Sequence, residues 1–199
     1  ARQALAIDPD NADAHTEYAF ALADKGEFGA AIAESEKAVS LPSHNINNMD
    51  GLGFTLLFAG KIEEAAQAFQ RALAADPSVD FSRERAAIAR AMLRDYPVAR
   101  DGLRRVTAHD PGYASAVSEL ARVERIGFGD LDAARKALQS AATSAASSAT
   151  LSEAWYELDC AVRDYPAALS VIEAAPPATF DEKPREWYEA LVYRAQGDG

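Results

Sequence analysis

The stretch GKIEEAAQAFQRALAADP, residues 60–77, decides the fold of this chain. Its apolar side chains recur every three or four residues, which is typical of a helix with one buried face. The stretch begins with a glycine and ends with an Asp-Pro pair. The proline marks the end of the helix, because proline cannot continue one. The same pair occurs at Asp8-Pro9 and Asp110-Pro111, so the first interval between the prolines is twice the second. This spacing indicates a chain built from units of about 34 residues.

The period can be followed to the end of the chain at the position of the opening glycine. That position is held by Gly26, Gly60, Arg94, Gly129, Arg163 and Gly197. One step is longer than the others by a single residue, and we place the insertion at 127–129. Small residues recur at the same period at Ala19, Gly53 and Ala87, where the two helices of a unit must approach closely. A register this long indicates stacked supersecondary units.

We predict an all-α fold, an α-α superhelix (solenoid) of about five to six helix-turn-helix repeats of about 34–35 residues. In the second copy the apolar spacing predicts one helix over about 45–59 and another over about 62–75. Residues 1–199 are predicted to form a single solenoid domain. The repeats are assigned to residues 12–45, 46–79, 80–113, 114–149, 150–180 and, as a partial copy, 181–199, after the tail of a preceding repeat at 1–11.

The fifth copy departs most from the pattern. Trp155 and Tyr156 stand where the register has a small residue. A shortened first helix, with three extra residues in the 146–150 loop, would return Trp155 and Leu158 to core positions. We favour that arrangement.

Two stretches carry a resemblance to a known family. They are AHTEYAFALADKGEFGAAI (14–32), followed by KAVSLP (37–42), and FQRALAADP (69–77). They resemble the tetratricopeptide repeat, and the resemblance covers nearly the whole chain, most strongly the first two copies. It implies a non-enzymatic protein-protein interaction scaffold. In this family the first helices of the repeats line the concave side of a right-handed superhelix, where a peptide or partner helix binds.

A second resemblance leaves an alternative function open. RDYPAAL (163–169) and ALVYRAQGD (190–198) are similar to the repeat regions of large bacterial regulators. Those regulators carry a cyclase, kinase or winged-helix domain elsewhere in the chain. The alternative function is therefore a sensory or assembly module of such a protein.

The charged clamp with which some family members bind C-terminal carboxylates is not reproduced here. It requires Lys and Asn on one first helix, Asn on the next, and Lys and Arg on the third. The matching positions hold Thr16 and Phe20, then Gly51, then Phe81 and Arg85. Only Arg85 fits, so we predict no binding of chaperone tails by this motif.

Charge and hydropathy argue against two classes of partner. The net charge is −11, and the acidic groups concentrate in residues 1–79 and 137–199. Phosphates would be repelled, so nucleic acid is not expected as a partner. The arginines of residues 80–136 are the one candidate for an anion contact. The alternative, which we favour, is that they pair with acids one turn away on a solvated face. No apolar run approaches the roughly 20 residues that span a bilayer, so membrane insertion is not expected.

No catalytic or metal-binding constellation is found in the sequence. His15, His44 and His109 lie in different units at no ligand spacing, and we interpret them as surface or capping residues. The single cysteine, Cys160, is interpreted as a small buried apolar residue. We therefore predict no enzymatic activity, no cofactor and no metal. No targeting segment is visible, and the compartment stays open, with the cytoplasm slightly favoured over the periplasm.

The candidate partner-binding site is a column of side chains on the first helices. Its apolar members are Phe20, Phe54 and Ile88, which recur at the repeat period, with Phe58 and Met92 one turn further along. Asp50 and Glu84 fall one turn before Phe54 and Ile88, and Asp13 and Asp24 flank the first copy. The alternative is that the apolar side chains complete the core between adjacent helices. As a site, the column would accept a protein or peptide with apolar anchors and basic flanks.

Both ends of the chain lack a capping helix in this assignment. Residues 1–7 form the tail of a second helix, and 182–196 form a first helix that is apolar on more than one side, with Trp187, Leu191 and Tyr193. We therefore expect the chain to belong to a longer protein. In isolation we expect its last helix either to fray or to be covered by a neighbouring molecule, for example by self-association through the uncapped ends.

Overall fold

A computed structural model describes residues 1–42, 45–141, 149–175 and 184–197, and every regular element in these ranges is a helix. The elements are α1 (Arg2–Ile7), α2 (Ala12–Ala23), α3 (Phe28–Ser40), α4 (Ile46–Phe58), α5 (Ile62–Ala75), α6 (Asp80–Met92), α7 (Tyr96–His109), α8 (Ala114–Val123), a π-helical turn (Glu124–Phe128), α9 (Leu131–Ala141), α10 (Ala149–Ala161), α11 (Tyr165–Ala174) and α12 (Arg185–Gln196). The predicted all-α class is confirmed.

Consecutive helices pack in pairs joined by short turns. The pairs α2 with α3, α4 with α5, α8 with α9, and α10 with α11 are each in contact. The bounds of α4 and α5 lie within one residue of the bounds predicted for the second copy. The predicted helix-turn-helix repeat is therefore confirmed.

The turn inside each pair has the same backbone conformation. Among the described residues, those with positive φ are Gly26, Gly60, Arg94, Gly129 and Arg163 in these turns and Gly197 at the end of α12, which are the six positions of the sequence register. Arg94 (φ 62°) and Arg163 (φ 61°) adopt the left-handed conformation although it costs a residue with a Cβ roughly 1–2 kcal/mol. The repeat geometry therefore imposes this turn even where glycine is missing.

The inserted residue of the register lies in the π-helical turn at Glu124–Phe128. In the other turns the closing hydrogen bond spans five residues, as from the Lys61 amide to the Leu56 carbonyl at 2.9 Å. In this turn the Asp130 amide donates to the Glu124 carbonyl, six residues back, at 3.0 Å. One extra residue inside a helix widens a single turn into a π-bulge. The helix thus absorbs the insertion directly before Gly129 and leaves the following turn unchanged.

The chain forms two compact units, residues 1–102 (unit 1) and 103–199 (unit 2). The core of unit 1 includes Phe69, Leu52 and Leu56. In unit 2 one cluster surrounds Leu138 and Leu158, and a second contains Ile172 and Val192. The assignment of a single domain to residues 1–199 stays a prediction.

Small residues lie at the helix crossings of unit 1, as the register predicted. A Cβ added to Gly53 would lie 2.5 Å from Cε1 of Phe69 on α5. A Cβ added to Gly102 on α7 would lie 3.0 Å from the Cβ of Ala87. Both approaches are closer than side chains tolerate without displacement. The short distance between helices in these pairs therefore depends on the missing side chains.

The prediction of a shortened first helix in the fifth copy is wrong. Helix α10 has 13 residues, the same length as α4 and α6. Leu158 is nevertheless buried, and Trp155 packs half-buried against the same cluster. The Tyr156 ring contacts Tyr188 of α12 edge to face, with 5.7 Å between the ring centroids. A full-length helix therefore accommodates both aromatic residues, while residues 142–148 of the preceding loop lie outside the described ranges.

His15 is buried, which corrects its interpretation as a surface or capping residue. Its Nδ1 lies 2.5 Å from Oε2 of Glu34 on α3, and its Nε2 lies 2.9 Å from the Pro9 carbonyl oxygen. The ring thus joins the turn before α2 to the neighbouring helix. His109 is exposed at the end of α7, and His44 lies outside the described residues.

The described residues lack two kinds of feature. They contain no group of three His, Cys, Asp or Glu side chains suited to a metal ion. Nor do they include a helix whose length and apolar character would let it cross a membrane. Cys160 is half-buried rather than buried, and its burial is the main cause of a raised thiol pKa.

Candidate partner-binding site

The first helices of successive repeats in unit 1 are joined by side-chain hydrogen bonds between residues 32 apart. The bonds link Thr16 with Asn48 (2.8 Å), Asn45 with Asp13 (2.9 Å) and Ser82 with Asp50 (2.8 Å). These bonds hold α2, α4 and α6 in the arrangement that carries the predicted column.

The seven residues of the predicted column differ in burial, and they fall into exposed, half-buried and buried side chains. Phe58 and Met92 are exposed, at 60% and 52% of their full surface. Phe20, Phe54 and Ile88 are half-buried, and Asp50 and Glu84 are buried. The column therefore has an accessible end at Phe58 and Met92 and a covered part towards the two acids.

Phe54 connects the column to the core of unit 1. Its ring meets Phe69 edge to face, with 5.6 Å between the centroids, and lies 5.7 Å from the ring of Phe81 on α6. The alternative of a core role thus applies in part to Phe54. It does not apply to Phe58, because that side chain remains exposed.

Arg85 covers the two aromatic rings, a role that the sequence analysis missed. Its guanidinium carbon lies 5.1 Å from the centroid of Phe54 and 5.0 Å from that of Phe81. Such contacts are favourable because the ring faces carry negative potential. Arg85 stands four residues after Phe81 on one helix face, and that spacing was the available signal.

Two buried carboxylates surround the guanidinium. Oε2 of Glu84 lies 3.6 Å from Nε of Arg85. Burial raises the pKa of Asp50, while the hydrogen bond from Ser82 and the charge of Arg85 act in the opposite direction. Oδ1 of Asp50 has no hydrogen-bond partner among the described residues. Because they are buried, the two acids act on the site through the arginine rather than as exposed charges.

Accessible negative charge lies instead on α2, next to the first turn of α4. An open pocket there is lined by Asp13, Thr16, Glu17, Asn45, Asn47 and Asn48. Asp13 and Glu17 are exposed, as is Asp24 at the other end of α2. The sequence had indicated Asp13 and Asp24 as flanking acids, but not Glu17 or the asparagines.

In unit 2 the equivalent face carries ion pairs. Arg122, which follows Ile88 by one period of the register, bonds to Glu119 one turn earlier, with Nε 2.8 Å from Oε2. Arg125 bonds to Glu157, at the same separation along the chain as the bonded pairs of unit 1. A pocket among α8, α9 and α10 is lined by Ser118, Ala121, Arg122, Arg125, Ala134, Ala154, Glu157 and Leu158.

The predicted pairing of central arginines is observed for several of them. Within unit 1, Arg83 contacts Asp80 at 2.7 Å and Arg90 contacts Asp95 at 3.8 Å. Arg104 of unit 2 departs from the prediction, because it reaches the buried Glu124 at 2.7 Å, 20 residues along the chain rather than one turn away. These contacts support the interpretation of the basic block as a set of ion pairs.

Helix α12 keeps several large apolar side chains exposed. Trp187, Leu191 and Tyr193 are partly open to solvent, whereas Val192 is buried against α11. Self-association through this end of the chain stays a prediction.

Comparison with known proteins places the chain among tetratricopeptide repeat structures. A tetratricopeptide repeat family model matches residues 49–79, which is the second copy. No curated protein matches the sequence. The predicted resemblance is confirmed for this repeat, and the helical structure extends it to the other copies.

Three solved structures illustrate the similarity of fold. A tetratricopeptide repeat protein from Parabacteroides merdae is 17% identical at a TM-score of 0.71, over 94% of this chain and 74% of that one. A thermophilic tetratricopeptide repeat protein in Thermus thermophilus is 17% identical at a TM-score of 0.73, and the match covers 93% of this chain and 98% of that one. PilW, a widely conserved type IV pilus biogenesis factor, is 20% identical at a TM-score of 0.77, and the match covers 96% of this chain and 87% of that one. At these identities the likeness shows the fold, which is generally a non-catalytic scaffold that binds proteins or peptides.

Proposed function

We propose that unit 1 of this scaffold binds a peptide or a partner helix that carries apolar anchors and basic flanks. The observation that carries the proposal is the exposure of Phe58 and Met92, which occupy the same position of the repeat on α4 and α6. Large apolar side chains at matching positions on adjacent repeats favour a docking surface over scattered exposure. Phe54, Ile88 and Phe20 form its half-buried inner part.

The charge of unit 1 supports a basic partner. Residues 1–79 contain five basic and twelve acidic groups, which gives a charge of −7. Asp13, Glu17 and Asp24 are the exposed acids on α2 and at its end. They would attract Lys or Arg beside the apolar anchors, while the buried Asp50 and Glu84 contribute through their field.

Selection of short peptides from a display library on the whole chain tests the proposal. The tightest peptide is labelled, and its binding is measured by fluorescence anisotropy. Phe58→Ala combined with Met92→Ala should weaken binding by more than about tenfold, since a few central anchors carry most of the affinity of an interface. Phe54→Ala is less suitable, because Phe54 packs on the core ring of Phe69.

Val98→Ala is the matched control, because Val98 is also half-exposed and lies in unit 1 on α7. It should leave binding unchanged, and circular dichroism should show equal helicity in all variants. Equal affinity of the double variant and the wild type would refute the docking surface. Enrichment of acidic rather than basic peptides would refute the charge assignment.

A further inference from the structure

Arg85 lies over Phe54, in the half-buried inner part of the proposed docking surface, and forms no hydrogen bond through its Nε. That nitrogen is buried and has no acceptor within hydrogen-bond distance among the described residues. Contacts with Phe54 and Phe81 fix the plane of the guanidinium, and about a quarter of the side chain, 27%, remains exposed. Because Nε is buried, the donors left for a ligand are the terminal N–H groups of the guanidinium, whose plane the two rings fix.

The charge of this arginine is compensated from the protein side. Glu84 is fully buried with its carboxylate 3.6 Å from Nε, and Asp50 interacts with the same guanidinium across the α4–α6 contact. Two buried acids face one cation, so a further carboxylate brought by a ligand would meet little net attraction. A neutral carbonyl oxygen still gains a hydrogen bond there, because it adds no charge.

We infer that Arg85 is the selectivity residue of the docking surface. It donates hydrogen bonds to neutral carbonyl groups of the bound peptide, and the compensation by Asp50 and Glu84 makes it discriminate against carboxylates. The inference rests on the proposed function, because it concerns the surface that Phe58 and Met92 open to a partner. It also gives a physical reason why this surface should favour internal segments over free chain ends.

Two small probes that differ only in charge test the inference. N-acetyl-leucine carries an apolar anchor and a carboxylate, and N-acetyl-leucine amide carries the same anchor with a neutral carboxamide. Each is titrated into ¹⁵N-labelled protein, and the Arg85 Nε–H signal is followed by NMR. An Arg85→Lys variant assigns that signal by its loss. The backbone amides of Phe58 and Met92 report occupancy of the surface independently.

In the wild type the amide probe should shift the Arg85 signal and bind at least about fivefold more tightly than the carboxylate probe. Glu84→Gln and Asp50→Asn should each strengthen binding of the carboxylate probe by about tenfold, because one compensating charge is lost. Binding of the amide probe should stay within about twofold. Two separate variants are used so that a folding defect in one, seen by circular dichroism, leaves the other as the test.

Glu63→Gln is the matched control, because Glu63 is exposed in the first turn of α5 and its loss changes the net charge equally. The inference is wrong if this control strengthens carboxylate binding as much as Glu84→Gln does. It is also wrong if the wild type binds both probes equally, or if Arg85 responds to neither.

An unchanged Arg85 Nε–H signal, together with shifted amide signals of Phe58 and Met92, would reject the inference about Arg85. It would not contradict the proposed docking surface. If the amide signals of Phe58 and Met92 do not shift either, the inference about Arg85 is also rejected. The displayed-peptide experiment then tests whether the docking surface exists.

Discussion

Unit 1 and unit 2 use the same spacing to join neighbouring first helices, but with different chemistry. In both units the joining side chains are 32 apart along the chain. In unit 1 the bonds are mainly between hydroxyl, amide and buried acid groups, and Phe58 and Met92 stay exposed beside them. In unit 2 the bonds at this separation are the ion pair of Arg125 with Glu157 and a hydrogen bond from the Ser118 hydroxyl to the Thr150 carbonyl, and Arg122 is engaged by Glu119.

This difference shows that the repeat period and the chemical character of the repeat surface are separate properties. The period decides which residues of successive repeats can meet. The residue type at those positions decides whether the surface is apolar and open or covered by paired charges. At the repeat position of Phe58 and Met92 unit 2 also exposes an apolar side chain, Ile126. The two units differ instead in the neighbouring Arg122 and Arg125, which are paired with acids in unit 2.

Replacement of a single glycine should produce the largest change in stability. Gly53→Leu adds a branched side chain where a Cβ alone would be 2.5 Å from Phe69. Overpacking of this kind costs about 1–3 kcal/mol, and the cost should spread to neighbouring repeats. Chemical denaturation monitored by circular dichroism measures the loss.

Gly29→Leu on the exposed face of α3 is the control, because no atom lies within 4 Å of its added Cβ. The comparison is sharp because Tyr156 occupies the place of Gly53 in the fifth copy. An unchanged midpoint for Gly53→Leu would mean that unit 1 tolerates large residues at this crossing as unit 2 does.

Replacement of Asp159 in unit 2 should change the free energy of unfolding by a smaller amount, and this change should depend on pH. Burial is the main cause of its raised pKa, and a second acid, Asp164, adds to it while Arg135 opposes it. The folded state therefore binds the proton more strongly than the unfolded chain, whose Asp titrates near 3.8. As pH rises from 3.8 through the raised value, the free energy of unfolding falls, and the loss persists at neutral pH.

Asp159→Asn removes this dependence, so the stability of the wild type relative to the variant should increase as the pH is lowered through that window. Denaturant midpoints between about pH 3.5 and about 7 measure it. Asp132→Asn, at an exposed acid of α9, should show no such trend. A wild type that loses stability relative to Asp159→Asn on acidification would contradict the assignment.

The ion pair of Arg125 with Glu157 should make the smallest contribution. The Glu157 side chain is half-exposed, so solvent and salt screen the pair. A double-mutant cycle with Arg125→Ala and Glu157→Ala should give a coupling of about 0.2–1 kcal/mol that decreases with added salt. A coupling well above this range would mean that the ion pairs hold unit 2 together rather than only covering its surface.

The sequence predicted the repeat geometry well because that geometry is local. The register named all six residues of positive φ, including Arg94 and Arg163, since each helix end must turn the chain at the same place. It located the inserted residue next to Gly129, where the π-helical turn lies. Helix bounds and small crossing residues followed from spacing alone.

The errors concern side chains whose surroundings come from other helices. His15 was expected at the surface, but Glu34 and the Pro9 carbonyl enclose it. Trp155 suggested a shortened helix, because the sequence does not show the space that its neighbours leave. In both cases the missing information was the packing of a neighbouring segment.

By itself, the sequence determined that this chain is a series of paired helices with a fixed period, and which residues recur on one face. Periodic hydrogen bonding and periodic burial leave a periodic sequence, so these properties can be recognised without coordinates. Only the tertiary structure decided that Asp50 and Glu84 are buried, that Arg85 covers Phe54, and that Phe58 and Met92 remain open. Those outcomes depend on how side chains from neighbouring helices fill the same space, and that packing has no period in the sequence.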